Sequence, residues 1–162
     1  GRSLCYYGDA GWGKLVRIGK YQQGHFDDQL VNASAQLIKE VWRPDPFPDW
    51  VTAIPSNRHP ALVPDFAERL AQKLGITFLS VLHRTGDASE QKSMQNSTMQ
   101  ARNVIGTLTI DPKLPEGPVL LVDDIIDSGW TLTMAGYLLR THGSGLVYPF
   151  TLAQATGRNS NG

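Results

Sequence analysis

Residues 119–132 read VLLVDDIIDSGWTL and contain the most informative pattern in the chain. The apolar run from Val119 to Val122 predicts a buried strand, and Asp123 and Asp124 stand at its carboxyl end. After two more apolar residues, a short loop from Asp127 to Thr131 precedes the apolar spacing of a helix. Because ligands bind at the carboxyl ends of strands in open α/β sheets, this pattern predicts a binding site.

The residues of this stretch suit a sugar phosphate. The carboxylates of Asp123 and Asp124 can accept hydrogen bonds from ribose hydroxyl groups. Backbone N–H groups of the loop and of the helix N-terminus can bind a phosphate dianion. The alternative is an acidic turn without a ligand, because Asp, Ser and Gly are common in turns for local backbone reasons. Adjacent carboxylates at a buried strand end repel each other unless a positive or hydroxyl-rich partner is present, which favours the ligand.

Composition disfavours several other classes of protein. The 162 residues include 15 Lys and Arg and 15 Asp and Glu, so the formal net charge is zero and direct nucleic-acid binding is not expected. No apolar run approaches the ~18 residues that span a bilayer, and the start of the sequence shows no signal-peptide pattern. The single cysteine, Cys5, allows no intrachain disulfide, so we expect a cytoplasmic protein.

Strand and helix patterns alternate from Trp50 onward. Residues 1–25 are expected to form a loop and short irregular elements. The other patterns predict helices from Asp27 or Asp28 to Val41 and from Pro64 to Leu74, and strands over 50–54, 76–82, 105–110 and 146–152. This alternation predicts an α/β fold, in which an open, twisted parallel sheet has helices on both faces.

We expect a single domain over residues 1–162. Within it, residues 1–45 would form N-terminal and hood elements, residues 46–156 the core, and residues 157–162 a frayed tail. The polar stretch from Arg84 to Arg102, called here the hood loop, is long for a connection in a compact domain, and such connections are usually lids or binding loops.

The segment after the strand over 50–54, called here the pyrophosphate loop, consists of Ser56, Asn57 and Arg58. It should lie at the same sheet edge as Asp123, and the arginine guanidinium suits pyrophosphate because it can donate two parallel hydrogen bonds. The polar side chains of the hood loop include Arg84, Gln91, Lys92 and Arg102. For both loops the alternative is a solvated segment whose charges have no role.

The stretch over 119–132 resembles the phosphoribosyl pyrophosphate (PRPP) binding motif of type I phosphoribosyltransferases, in which two acids precede a Thr/Ser-Gly-x-Thr loop. The resemblance implies that Asp123 and Asp124 bind the ribose hydroxyls and lie near Mg²⁺, which is held mainly by substrate oxygens. It implies that Asp127 is a general acid/base toward the nucleobase. The 5′-phosphate would be bound by Asp127, Ser128, Gly129, Trp130 and Thr131.

The same resemblance implies that Ser56 to Arg58 bind pyrophosphate. It also implies that the hood loop is flexible and closes over the site, with Arg84, Gln91, Lys92 and Arg102 as the candidate contacts to the pyrophosphate. Closure would exclude water from a reactive sugar cation. Trp130 departs from the motif, because that position is usually small or lysine. This departure leaves open whether the site carries out chemistry or binds a ligand without it.

Several further stretches extend the resemblance over nearly the whole chain. They are YYGDAGWGKLV with GKY at the start, VTAIPSNRHPALVPDFAERLAQKLG over 51–75 and EQKSMQNSTMQARNV over 90–104. They are similar to the phosphoribosyltransferase-like C-terminal domain of bacterial RecQ-type DNA helicases, which is related to competence-associated (ComF-type) phosphoribosyltransferases. This similarity implies that the chain is a piece of a larger protein. The sequence itself contains no G-x-x-x-x-G-K-[ST] motif, the nucleotide-binding motif expected of a helicase.

The expected function is therefore an enzyme that binds Mg²⁺ and PRPP, transfers phosphoribose to a nitrogenous base and releases pyrophosphate. The alternative is a non-catalytic regulatory domain that binds PRPP or a nucleotide and is attached to a RecQ-type helicase. A scaffold that docks on DNA or proteins is a third hypothesis, which the neutral charge disfavours for DNA. A homodimer is common among soluble enzymes, and the sequence does not indicate the acceptor base.

Overall fold

A parallel β-sheet organises the chain, and the computed structural model describes residues 1–84 and 108–155. The elements in chain order are β1 (Arg2–Tyr6), α1 (Trp12–Ile18), a first π-helical segment (Gly19–Gln23), α2 (Asp28–Gln36), a second π-helical segment (Leu37–Trp42), β2 (Trp50–Ala53), α3 (Leu62–Leu74), β3 (Thr77–Phe78), β4 (Leu82–Arg84), β5 (Leu108–Ile110), β6 (Val119–Ile126), α4 (Trp130–Thr141) and β7 (Val147–Gln154). Within the described residues the sheet has the strand order β1-β7-β6-β2-β3, with parallel pairing throughout, while β4 and β5 form a separate antiparallel pair.

The central strand β6 is buried on both faces of the sheet. Leu120 and Val122 pack into a cluster with residues of α2 and α3. Val119 and Leu121, which point to the opposite face because side chains alternate along a strand, pack with Leu139 and other residues of α4. Helices therefore cover both faces, and the predicted α/β class with a parallel sheet is confirmed.

The N-terminal residues differ from the expectation of a loop with short irregular elements. Residues 2–6 form β1, which pairs in parallel with β7, and the hydroxyl groups of Ser3 and Thr151 are hydrogen bonded at 2.6 Å. The partner strand lies at the far end of the sequence, and β1 is a half-exposed edge strand without a continuous apolar run. Local sequence patterns do not detect such a strand, because its pairing is entirely non-local.

The strand expected over residues 76–82 is divided in two. Residues 77–78 form β3 beside β2, and the N–H of Leu79 donates to the carbonyl of Val51 at 2.9 Å before the chain leaves the sheet. Val81 and Leu82 are buried in the cluster on the α4 face instead, where β4 pairs with β5. Their apolar character thus reflects packing against α4 and not a place in the main sheet.

Within residues 1–84 and 108–155, no helix combines the length and the apolar character that crossing a membrane requires. The tail predicted over 157–162 and the hood loop beyond Arg84 lie outside the described residues.

Candidate functional site

A cleft of about 320 Å³ opens at the carboxyl ends of β2 and β6. Its volume is at the lower end of the ~300–1,000 Å³ typical of small-molecule sites. The polar residues that line it come from the first π-helical segment, the loop after β2, the end of β4, the end of β6 and the start of α4. They are Lys20, Ser56, Asn57, Arg58, His59, Arg84, Asp123, Asp124 and Thr131. The structure thus brings together residues from the motif, the pyrophosphate loop and the start of the hood loop.

Asp123 and Asp124 lie where β6 continues past the end of β2. The last backbone hydrogen bond between β6 and the chain at the end of β2 runs from the N–H of Ile54 to the carbonyl of Val122 at 2.9 Å. Beyond it, the carboxylate of Asp123 accepts from the N–H of Asp124 at 2.8 Å, and that of Asp124 accepts from the N–H of Ile125 at 2.7 Å. Because side chains alternate along a strand, Asp123 lies on the α4 face and Asp124 on the opposite face.

The environment of Asp123 favours its neutral form. Burial and the negative charge of Asp124 raise the pKa of Asp123 to about 8. The hydrogen bond from the Asp124 N–H and the charge of Lys20 act in the opposite direction without cancelling the rise. The raised pKa favours the protonated form of Asp123 at neutral pH in the ligand-free protein, and the hydroxyl group of that form can donate a hydrogen bond.

Asp124 is paired with Lys20, a site residue that the sequence patterns did not indicate. The Nζ of Lys20 lies 2.9 Å from Oδ2 of Asp124, and the two side chains are 20% and 13% exposed. Burial acts to lower the pKa of Lys20, but the hydrogen bond and the charge of Asp124 outweigh burial and raise it. The available signal was the GKY stretch of the family resemblance, since no local spacing connects residue 20 with residue 124.

The loop from Asp127 to Thr131, called here the phosphate loop, forms a smaller cavity of about 140 Å³ beside the cleft. Asp123 and Thr131 line both cavities. Gly129 precedes α4 with a φ of 77°, a left-handed conformation that favours glycine, and it has no side chain to cap the helix. The N–H groups of the first turn, together with the positive end of the helix dipole, therefore suit a phosphate.

The first residue of α4 is Trp130, whose side chain is 49% exposed. Its backbone N–H donates to the hydroxyl of Ser128 at 3.3 Å. Trp130 is one of the residues that line the smaller cavity, and it is not one of those that line the larger cleft. The departure from the motif at this position therefore leaves the larger cleft open.

Two hydrogen bonds hold the pyrophosphate loop and the residue before it. Ser56 accepts a hydrogen bond from the N–H of His59 at 3.2 Å, and Nε of Arg84 donates to the carbonyl of Pro55 at 2.9 Å. Arg84 thus connects this loop to the start of the hood loop. Arg58 is exposed and forms no salt bridge with any other residue that the structure describes, which leaves its guanidinium available. Gln91, Lys92 and Arg102 lie outside the described residues.

The acids at the end of β6 fit a magnesium ion that is held mainly by a bound ligand. In the parts of the chain that the structure describes, no group of three or more His, Cys, Asp or Glu side chains could hold a metal by itself. Mg²⁺ is commonly bound by one or two carboxylates together with substrate phosphates and water. Asp123 and Asp124 provide carboxylates of this kind beside the predicted phosphate sites.

The parallel sheet and its cleft define an α/β protein that presents a ligand site at the carboxyl ends of its strands. The family model of the phosphoribosyl transferase domain matches residues 65–157, which is more than half of the chain. The chain therefore belongs to this family. No curated protein matches the chain.

Similar solved structures share the fold. Orotate phosphoribosyltransferase from Aeropyrum pernix has a TM-score of 0.50 and 19% identity, covering 79% of this chain and 61% of its own. Glutamine PRPP amidotransferase from B. subtilis has a TM-score of 0.54 and 22% identity, covering 75% of this chain and 25% of its own. A hypothetical protein from Neisseria gonorrhoeae with bound ppGpp has a TM-score of 0.53 and 17% identity, and the match covers 83% of this chain and 70% of that protein. This chain spans less than two thirds of the first two proteins.

Proposed function

We propose that this chain is a phosphoribosyltransferase that binds PRPP with Mg²⁺, transfers phosphoribose to a nitrogenous base and releases pyrophosphate. The observation that carries the proposal is the cleft in which the two acids of β6 meet Arg58, Arg84 and the start of α4. Membership of the phosphoribosyl transferase family supports it.

The charges of the ligand-free cleft favour a polyanion. Lys20 neutralises Asp124, and the raised pKa of Asp123 favours the neutral form of that carboxyl group. The guanidinium groups of Arg58 and Arg84 then give the cleft a net positive charge. The pyrophosphate group is the part of PRPP that complements this positive charge, because its oxygens can accept paired hydrogen bonds from guanidinium groups.

The proposed reaction takes place at the anomeric carbon of the ribose. The bond from this carbon to the pyrophosphate oxygen breaks, a bond to a nitrogen of the base forms, and the transition state has oxocarbenium character. Asp123 and Asp124 would orient the ribose through its hydroxyl groups, and the phosphate loop would bind the 5′-phosphate. Mg²⁺, when bound, would supply further neutralisation of the leaving pyrophosphate.

The residues of the pyrophosphate loop, Ser56 to Arg58, would bind the leaving group. Arg84 and the other candidate residues of the hood loop, Gln91, Lys92 and Arg102, would add contacts when the loop covers the site and excludes water. Asp127 would take the proton that the base nitrogen loses.

The test of this function is an incubation of the protein with Mg²⁺, labelled PRPP and single bases from a panel of purines and pyrimidines. The expected result is pyrophosphate release together with one labelled nucleoside monophosphate, which also identifies the acceptor. Binding of PRPP without release of pyrophosphate, with every base, would contradict the enzymatic proposal and support the binding module described below.

Replacement of Asp127 by Asn should separate chemistry from binding. Because general acid/base catalysis contributes about 10²–10⁴-fold, we expect kcat to fall by at least about 100-fold while the Kd for PRPP changes little. Steady-state kinetics and calorimetry measure the two quantities. Glu68→Gln, a change at an exposed carboxylate of α3, is the matched control and should alter neither. An unchanged kcat for Asp127→Asn would remove the assigned role.

The second candidate function is a non-catalytic domain that binds PRPP or a nucleotide and regulates an attached helicase. The exposed ring of Trp130 at the phosphate loop favours it, because this position departs from the family motif. The neighbour from Neisseria gonorrhoeae carries ppGpp, so a nucleotide with pyrophosphate groups is a ligand that suits a related fold.

Other parts of the proposal rest on the sequence alone. The similarity to RecQ-type helicase-associated and ComF-type domains is carried by the stretches quoted above, and attachment to a helicase follows from that similarity. A single domain with a frayed tail, a homodimeric state and a cytoplasmic location complete the proposal, the last because Cys5 has no partner for an intrachain disulfide.

A further inference from the structure

We infer that Lys20 is a further ligand-binding residue of this cleft, whose ammonium group donates to Asp124 and to a pyrophosphate-bearing ligand at the same time. The inference rests on the proposed function, because it deepens the description of the same site. It concerns a residue from the N-terminal segment, which the motif and its flanking loops do not include.

The segment that carries Lys20 is held against the body of the protein. Gly19 is buried beside Phe26, and a Cβ atom at this glycine would lie 2.8 Å from Cδ1 of Phe26 and 2.9 Å from the carbonyl oxygen of His25. Such close approach leaves no room for a side chain at position 19. The backbone next to Lys20 is therefore in tight contact with its surroundings, and its side chain extends from a fixed position.

The ammonium group has capacity for a second partner. Its Nζ lies 2.9 Å from Oδ2 of Asp124, and a lysine ammonium has three donors. The side chain is 20% exposed to solvent, and Lys20 lines the same cleft as Arg58 and Arg84. The cation is thus oriented by a carboxylate and remains accessible from the cleft, where an anionic ligand would meet it.

This arrangement predicts a particular dependence on magnesium. If Lys20 contacts the pyrophosphate, part of the charge neutralisation that a divalent cation supplies is built into the chain. Wild-type protein should then bind pyrophosphate in the absence of Mg²⁺, and the contribution of Lys20 should be largest under that condition. A lysine that merely supports the fold would not change the magnesium dependence of binding.

The experiment is calorimetry with inorganic pyrophosphate and with PRPP, each in EDTA and in Mg²⁺. It compares wild type with Lys20→Met, Lys20→Arg and the control Lys14→Met, which changes an exposed lysine of α1 outside the cleft. We expect Lys20→Met to weaken pyrophosphate binding at least 10-fold in EDTA and by a smaller factor in Mg²⁺. Lys20→Arg should restore part of the affinity, and Lys14→Met should match wild type.

A double variant separates direct contact from simple neutralisation of Asp124. If Lys20 only compensates that carboxylate, then Lys20→Met combined with Asp124→Asn should bind pyrophosphate as well as Asp124→Asn alone. If Lys20 contacts the ligand, the double variant should remain at least 10-fold weaker than Asp124→Asn. Recovery of affinity in the double variant would overturn the inference.

The two proposals fail in different ways. Equal pyrophosphate and PRPP affinities for wild type and Lys20→Met in both buffers would overturn the role of Lys20 and leave the proposed function standing. Lysine-dependent binding of pyrophosphate without any binding of PRPP would support the role of Lys20 and overturn the proposed function. If wild type binds neither compound in either buffer, both are wrong. Lys20→Arg keeps the test decisive should Lys20→Met fail to fold.

Discussion

Replacement of both Asp123 and Asp124 by Asn should raise the Kd for Mg²⁺-PRPP at least 100-fold. A hydrogen bond to a charged group contributes about 1.5–3 kcal/mol, so the loss of two carboxylate acceptors corresponds to about 10²–10⁴ in affinity. The exchange also replaces the charged carboxylate ligands that these acids offer to Mg²⁺ by neutral amide oxygens, which neutralise none of its charge. Titration calorimetry in excess Mg²⁺ measures the effect, and an unchanged affinity would contradict the assignment of the ribose and metal site.

The fold should survive this double substitution. The amide oxygen of Asn can still accept the hydrogen bonds that the carboxylates now accept from the backbone N–H groups of Asp124 and Ile125. Unchanged circular dichroism spectra would verify that binding, and not folding, has been lost. Glu68→Gln combined with Glu116→Gln replaces the same number of acidic residues at exposed positions and should leave Kd unchanged.

The sequence predicts those parts of the fold and site that depend on local patterns. Val119 to Val122 are apolar on consecutive positions because β6 is buried on both faces, and this is the pattern of a central parallel strand. The acids that follow must then stand at its carboxyl end. Arg58 follows β2, the neighbour of β6, so parallel pairing alone brings it to the same edge of the sheet.

The parts that the sequence did not predict depend on contacts between distant residues. β1 is defined by its pairing with β7, and a half-exposed edge strand has no apolar alternation to reveal it. Lys20 meets Asp124 because alternation along β6 directs this acid to the face on which the N-terminal segment packs. The packing of that segment against β6 is not encoded in the spacing of nearby residues. Local patterns therefore do not reveal this charged pair.

The acids at the end of β6 should also affect stability in a direction that distinguishes a ligand site from a structural feature. The pKa of Asp123 is raised from its usual 3.8 to about 8, first by burial and then by the charge of Asp124, while Lys20 acts weakly in the opposite direction. Between these two pH values the folded protein binds more protons at this group than the unfolded chain does. The contribution of Asp123 to stability is therefore lost as pH rises through this window.

Asp123→Asn removes this cost, because an amide does not ionise. In the absence of ligand we expect the variant to have a free energy of unfolding close to that of wild type at pH 4 to 5. At pH 9 the free energy of unfolding of Asp123→Asn should exceed that of wild type by about 1–3 kcal/mol. This is the usual cost of burying a polar or charged group whose interactions do not fully compensate its loss of hydration. For a domain of this size each kcal/mol corresponds to about 2–4 °C in Tm.

Thermal unfolding of wild type and Asp123→Asn at pH 5, 7 and 9 measures this effect, with Glu68→Gln as a control that should show no trend. A variant that is less stable than wild type at pH 9, or an advantage that does not grow with pH, would contradict the raised pKa. A gain in stability together with a loss of PRPP binding would identify Asp123 as a residue retained for its ligand at a cost to the fold, as is common for functional groups. A purely structural carboxylate would lower stability when replaced, because its hydrogen bonds and ion pairs would be weakened.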